Sequence, residues 1–236
     1  WLPLGSSLVY LLGGWLGLPS QQALAGTNAH LPVLRTAEQV RQLSAEEAER
    51  PYHVRLEGVV TFFDQRAPGK AFRFLQDDTA GIYVFPPEGF TGAKVGQRVE
   101  VEGHTGRGDF APVVWAERVQ VLGPGSFPTA RPVSFEQLSS GCEDSQFVEV
   151  HGVVRAVHLE EDRLFFIIDV ATGDGRVTAY ASELPVTRSE DMIDSTVRLR
   201  AVCYTQFNRQ RQLFNFGLLV PRPEDLAKAL EDEYRQ

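Results

Sequence analysis

Val54-Arg-Leu-Glu-Gly-Val-Val-Thr61 and Val148-Glu-Val-His-Gly-Val-Val-Arg155 are two near-copies of one phrase within a chain of 236 residues. In each, apolar residues alternate with polar ones, the two-residue period of a strand buried on one face. The pattern predicts Val54, Leu56, Gly58, Val60 and Phe62 facing in, with Arg55, Glu57 and Thr61 facing out. For the second copy it predicts Val148, Val150, Gly152 and Val154 facing in, and Glu149, His151 and Arg155 facing out. Each copy later has another alternating strand, Arg98-Val-Glu-Val-Glu102 and Thr196-Val-Arg-Leu-Arg200, that leads into an aromatic and polar loop. An internal repeat outranks any single motif as a guide to architecture, so the chain reads as two copies of one small β-module.

Working outward, the first copy contains five strand patterns: Val54 to Asp64, Ala71 to Gln76, Ile82 to Phe85, Arg98 to Thr105 and Val113 to Leu122. A glycine inside the first long strand permits the sharp coiling by which one strand joins both sheets of a small closed barrel. Five strands are the count of an OB-fold, a Greek-key barrel, with an SH3-like barrel or small sandwich as alternatives. Thr36 to Glu49 reads as a short helix capped by Thr36, and Ser134 to Gly141 as its counterpart, capped by Ser134 and closed by glycine. Gly123 to Pro132 is rich in glycine and proline and reads as the linker. The expected class is all-β: two tandem OB-like five-stranded barrels, each preceded by a short helix. The expected divisions are a helical lead-in over 26–53, barrels over 54–123 and 148–221, linker and helix over 124–147, and a charged helix or linker over 222–236.

Residues 1–25 read as a secretory leader. Leu8 to Leu18 is too short for a membrane span, and Ala23-Leu-Ala25 before Gly26 suits a signal peptidase. A basic region is expected ahead of Trp1, and the working expectation is an exported, extracytoplasmic protein; a buried helix is the alternative. Cys142 and Cys203 are the only cysteines, which excludes a disulfide scaffold. Strand parity points Cys203 inward as a buried thiol, and a bridge to Cys142 is the alternative that export would allow.

Gln76-Asp-Asp-Thr-Ala-Gly81 and Asp169-Val-Ala-Thr-Gly-Asp-Gly175 sit between strands and read as turns, with Asp bonding local N–H groups and Gly81 supplying an unusual φ. The five histidines lack metal-ligand spacing, and no nucleophile elbow or phosphate-cradling loop is present. No catalytic residue, metal or cofactor is expected. OB barrels commonly bind on the face of strands 2 and 3 and through the loops joining strands 1 to 2 and 4 to 5. Those places hold Phe63, Gln65, Arg66, Arg73, Tyr83, Asp109 and Phe110 in the first copy, and Phe207, Arg209 and Arg211 in the second. The candidate ligand-binding set is Arg73, Tyr83, Phe110, Phe207, Arg209 and Arg211, aromatics and cations that could stack on a base or sugar or engage an anion. The plainer alternative makes the Phe rings barrel stoppers and the Arg side chains solvated.

Phe74-Leu-Gln-Asp-Asp-Thr-Ala-Gly-Ile-Tyr-Val84, Gly108-Asp-Phe-Ala-Pro-Val-Val114, Asp144 to Val154 and Phe207-Asn-Arg-Gln-Arg-Gln-Leu213 together resemble the tandem OB modules found outside the membrane in bacterial sensor histidine kinases. That resemblance covers roughly Thr36 to Pro221. It implies a non-catalytic sensory module of a two-component system on the outer face of the inner membrane, either with a membrane span and a kinase beyond Gln236 or as a stand-alone relative. The implied partner is a small molecule, glycan or protein, and the membrane enters only through the leader or that span. Nucleic acid is disfavoured, because the net charge is −8 and 54–123 and 148–220 balance to −1 and −2. The rivals are a single-strand nucleic-acid-binding module and an accessory domain of an exported nuclease or hydrolase.

Overall fold

Alternation along one long strand closes each barrel. A computed structural model describes residues 31–63, 73–90, 92–160, 165–208, 210 and 212–229, which fall in one compact unit beginning at Leu31. In it, β1 (His53–Phe63) pairs antiparallel with both β2 (Arg73–Gln76) and β4 (Gln97–Gly106). β3 (Gly81–Phe85) runs antiparallel to β2 and parallel to β5 (Val113–Pro124), and β5 pairs with β4 to give a closed order β1-β2-β3-β5-β4. After a two-residue strand β6 (Arg131–Pro132), the second copy repeats the plan. Its strands β7 (Phe147–Glu160), β8 (Phe165–Ala171), β9 (Arg176–Ala181), β10 (Thr196–Phe207) and β11 (Leu213–Val220) run in the order β7-β8-β9-β11-β10. The pairing of β10 back onto β7 closes it. This strand order, with its parallel β3–β5 and β9–β11 pairs, is that of an OB-fold rather than an SH3-like barrel or sandwich.

Each barrel has its own core. Leu56, Ile82, Val99, Val101 and Val114 fill the first; Ile168, Leu199, Leu218, Met192 and Leu226 fill the second. Gly58 lies opposite Val99 and Gly152 opposite Val197, so the two mid-strand glycines are equivalent. Their shared requirement is room: a Cβ on Gly58 would stand 2.8 Å from the Gln76 carbonyl oxygen, and one on Gly152 2.5 Å from that of Ala171. Gly152→Val is expected to lower stability by roughly 1 to 3 kcal/mol through overpacking. Chemical denaturation measures it, and an unchanged midpoint would refute the close approach.

The predicted parity of β1 breaks at its end. The register with β2 shifts between Val60 and Phe62, a β-bulge that leaves Thr61 unpaired. Thr61 is therefore buried, its hydroxyl donating to the Phe74 carbonyl at 3.2 Å, while Phe62 leaves the barrel core for a separate cluster on the far side of the wall. The second copy has its bulge at the matching place, between Val154 and Ala156.

The first helical segment is broken in two. Thr36 caps α1 (Ala37–Arg41) and Ser44 caps α2 (Ala45–Ala48), each through a capping box, with Gln39 and Glu47 respectively. Ser134 and Gln137 form the same box on α3 (Phe135–Ser139), ahead of the second barrel. Where a charged helix or linker is expected over 222–236, the described part is a 3-10 turn (Pro223–Asp225) and a strand β12 (Leu226–Lys228) paired with β10. Burial of Leu226 in the second core holds that segment extended. The leader-like 1–25, the lead-in before Leu31, and Gln65, Arg66, Arg209 and Arg211 lie outside the described residues, as do the side chains of Phe63 and Arg73.

Glu149, on the outer wall of β7, carries the clearest pH dependence. Burial pushes its carboxyl up, but hydrogen bonds from His151 at 2.9 Å and Arg200 at 2.7 Å outweigh that and hold it below its ordinary 4.5. A carboxylate lowered by folding stabilises above its unfolded pKa and loses that contribution as pH falls through the folded value. Acid unfolding scans should therefore show a loss below about pH 4.5 that Glu149→Gln removes. Identical acid profiles for the two proteins would refute the assignment.

Candidate functional site

The outer face of β3 carries two aromatic side chains, two residues apart. Tyr83 and Phe85 point away from the core, and the antiparallel pairing with β2 sets Phe74 opposite Tyr83. The parallel pairing with β5 sets Trp115 opposite Phe85. The result is a continuous row of rings: Phe74 to Tyr83 at 5.2 Å edge-on, Tyr83 to Phe85 at 4.8 Å, and Phe85 to Trp115 stacked at 4.0 Å. Trp115 remains 45% exposed at the end of the row. Tyr83 and Phe85 share a face by simple alternation, yet only Tyr83 is a candidate on the sequence, since the parallel β3–β5 contact that enlists Phe85 and Trp115 is not written in either strand alone.

A second wall comes from the second barrel. Tyr204, Thr205 and Phe207, at the end of β10, face the row across a cleft of ≈ 600 Å³. The β4–β5 loop closes its mouth: Phe110 stacks on Phe207 with centroids 4.1 Å apart and planes 4° from parallel. Tyr83, Phe110 and Phe207, three of the six candidates, thus line one cleft. Arg73 takes its place in β2 beside Phe74.

The repeats diverge at this surface. The paired registers make Phe85 equivalent to Tyr180, Trp115 to Leu219 and Gly106 to Tyr204. In the second barrel Leu219 is 4% exposed, because it joins Val202, Tyr204 and Phe147 in a cluster with Phe62 and Phe74 of the first. One copy keeps its β3–β5 face open; the other buries the same face against its neighbour. Alignment of the two copies would have shown the contrast at Trp115, but not which partner covers Leu219.

The junction between barrels explains Gly81, whose φ is not in the left-handed region. A Cβ there would lie 1.9 Å from the Ser145 carbonyl oxygen, so the glycine serves close approach rather than turn geometry. The preceding turn behaves as expected, with Asp77 Oδ1 accepting from the Thr79 and Ala80 N–H groups at 2.8 and 2.9 Å. Its Oδ2 also accepts from the Ala37 N–H at 2.7 Å, tying α1 to the barrel.

Charge in the cleft is sparse. Arg107 is the one basic residue among its described lining, and it pairs with Glu49 at 2.9 Å. Asp144 accepts from the Thr205 N–H at 3.2 Å and hydroxyl at 2.5 Å, and lies 3.8 Å from Arg41. Both cysteines are free: Cys142 is exposed, and Cys203 is buried, where desolvation and the nearby Asp144 and Glu143 carboxylates push its thiol far up. A thiol so held is a core side chain rather than a nucleophile. Among the described residues no group of three or more His, Cys, Asp or Glu could hold a metal ion.

No family model and no curated protein matches the chain. Among solved structures it is similar to the tetrameric p202 HIN2, at 13% identity and TM-score 0.35, covering 73% of this chain and 88% of that one. It is similar to the p204 HINb domain at 10% identity and TM-score 0.36, covering 72% and 93%. A third is the Ifi202 HINa domain in complex with 20bp dsDNA, at 8% identity and TM-score 0.32, covering 70% and 90%. These are not sensory regions of histidine kinases, so the kinase resemblance is withdrawn, and with it the sensor and two-component assignments. The motifs behind it map onto the β2–β3 hairpin, the β4–β5 loop, the start of β7 and the β10–β11 connection, places that mark the barrel rather than a family. The exclusion of nucleic acid is withdrawn as well; one of these neighbours, HINa, is itself described in complex with DNA. That exclusion used net charge, which reports on phosphate attraction and is silent on stacking.

Proposed function

We propose that this chain is a non-catalytic OB-fold binding module that holds single-stranded nucleic acid by stacking bases in the cleft between its barrels. The observation that carries the reading is the row Tyr83, Phe85 and Trp115 on the face where OB barrels commonly bind, closed at its inner end by the buried Phe74 and confronted by the Phe110–Phe207 stack. Base–aromatic stacking is worth roughly 1 to 3 kcal/mol per base and tolerates any sequence, because every base has a π-face. Two or three such contacts support micromolar affinity. With a net charge of −8 and one described cation in the lining, phosphate attraction is a minor part of the binding energy. A duplex, whose base faces are already stacked, is the weaker ligand.

The test is a titration of the full chain with fluorescein-labelled oligothymidylate at low and at physiological salt, with a duplex of equal length as competitor. Micromolar binding to the single strand with a shallow salt slope is expected. Absence of binding, or tighter duplex binding with a steep salt slope, sinks the reading.

A further inference from the structure

Two walls that belong to different barrels can grip one ligand only if something fixes the distance between them. The segment 144–146 does so through one residue. On one side it joins β10 by backbone: the Ser145 N–H donates to the Cys203 carbonyl at 2.8 Å, and the Cys203 N–H to the Gln146 carbonyl at 2.9 Å. On the other it joins β3 by side chain: Gln146 Oε1 accepts from the Gly81 N–H at 3.0 Å, and its Nε2 donates to the Gly81 carbonyl at 3.2 Å. One amide thus satisfies both backbone groups of Gly81, as a neighbouring strand would. Gly81 stands two residues from Tyr83 on β3, and Cys203 stands next to Tyr204 and two residues from Thr205 on β10. Gln146 itself does not line the cleft.

We propose that Gln146 is a positioning residue of the cleft: its amide, clamped on Gly81, sets the Tyr204, Thr205 and Phe207 wall against the Tyr83 row. The bare Cα of Gly81 is the other half of the clamp, since it lets the Ser145 carbonyl approach. Arg41 adds a weaker tie, donating to the Gly81 carbonyl at 3.4 Å and lying 3.8 Å from Asp144. At the next position Gln76 reciprocates, its Oε1 accepting from the Phe147 N–H at 3.0 Å. This inference rests on the base-stacking reading for its ligand arm and on the junction alone for its second arm.

The experiment uses the full chain and labelled oligothymidylate of about eight nucleotides. Gln146→Met keeps the volume of the side chain and removes both hydrogen bonds to Gly81, together with the one Nε2 donates to the Asp144 carbonyl at 3.1 Å. It should weaken binding about tenfold, although Gln146 touches no base. Phe207→Ala should weaken the wild type about tenfold but the Gln146→Met protein less than about twofold, because a displaced wall has little left to lose. In the ligand-free protein, the proton NMR contact between the Phe110 and Phe207 rings should vanish in Gln146→Met while the melting transition stays cooperative. If Gln146→Met does not fold, Gln146→Glu, which keeps the acceptor for the Gly81 N–H, carries the same comparisons. Wild-type affinity in the folded variant, or equal Phe207→Ala losses in both backgrounds, overturns the proposal. A wild type that ignores the oligonucleotide overturns the stacking reading alone; a ring contact that persists in Gln146→Met then overturns the positioning role by itself.

Discussion

Gly81→Ala is expected to force the two barrels apart and to lower stability by about 2 to 4 kcal/mol. The added methyl would begin 1.9 Å from the Ser145 carbonyl oxygen, and that neighbour is backbone with no rotamer to change. Relief requires moving the 144–146 segment, which breaks both Gln146 hydrogen bonds to Gly81. It also exposes part of the Phe62, Phe74, Tyr204 and Leu219 cluster that glues the barrels. Each barrel retains its own closed sheet and core, so the loss should show as a lowered first transition with increased dye binding to exposed apolar surface. Oligonucleotide binding should fall with it. An unfolding midpoint equal to that of the wild type would mean the junction is not held as tightly as the Gly81–Ser145 approach requires.

Trp115→Ala is expected to cost binding rather than folding. The indole is 45% exposed, stacked on Phe85 and lying over Gly106 outside both cores, so its removal leaves no cavity in either core. Loss of one stacking platform corresponds to roughly 1 to 3 kcal/mol, a weakening of about 5- to 150-fold in oligonucleotide affinity. Trp115→Phe should keep most of it. The equivalent truncation in the other copy, Leu219→Ala, should do the reverse: about 2 to 4 kcal/mol of stability, because Leu219 is buried between the barrels. Paired titrations and denaturation curves measure both. If Trp115→Ala binds as well as the wild type, the open face of the first barrel is not the site.

Much of this was legible in residue order because strand periodicity is a local property. The doubled Val-x-x-x-Gly-Val-Val phrase announced two copies, and the five alternating runs in the first announced its barrel. The Asp77 turn was legible for the same reason, since Asn and Asp side chains reach only their own neighbourhood. Parity failed where the period itself broke: a bulge adds one residue to one strand, and it reversed Thr61 and Phe62 without any change in the pattern up to Val60. The single helix expected over Thr36 to Glu49 failed for a related reason, because Ser44 with Glu47 is a second complete capping box and restarts the helix.

The site divides along the same line. Tyr83, Phe110 and Phe207 could be named beforehand because OB barrels bind on known faces and loops, and strand position follows from alternation. Phe74, Phe85, Trp115 and Tyr204 could not, since each enters the cleft through a partner distant in the chain: across β2–β3, across the parallel β3–β5 pair, or from the other barrel. Gly81 is the sharpest case. The sequence alone determined two barrels, their turns and Tyr83 on the outer face of β3, all interactions among residues close along the chain. Only the tertiary structure decided that one β3–β5 face would stay open while its twin was buried, because that depends on which surface of one barrel fits the other, a matter of shape and packing between segments far apart in sequence.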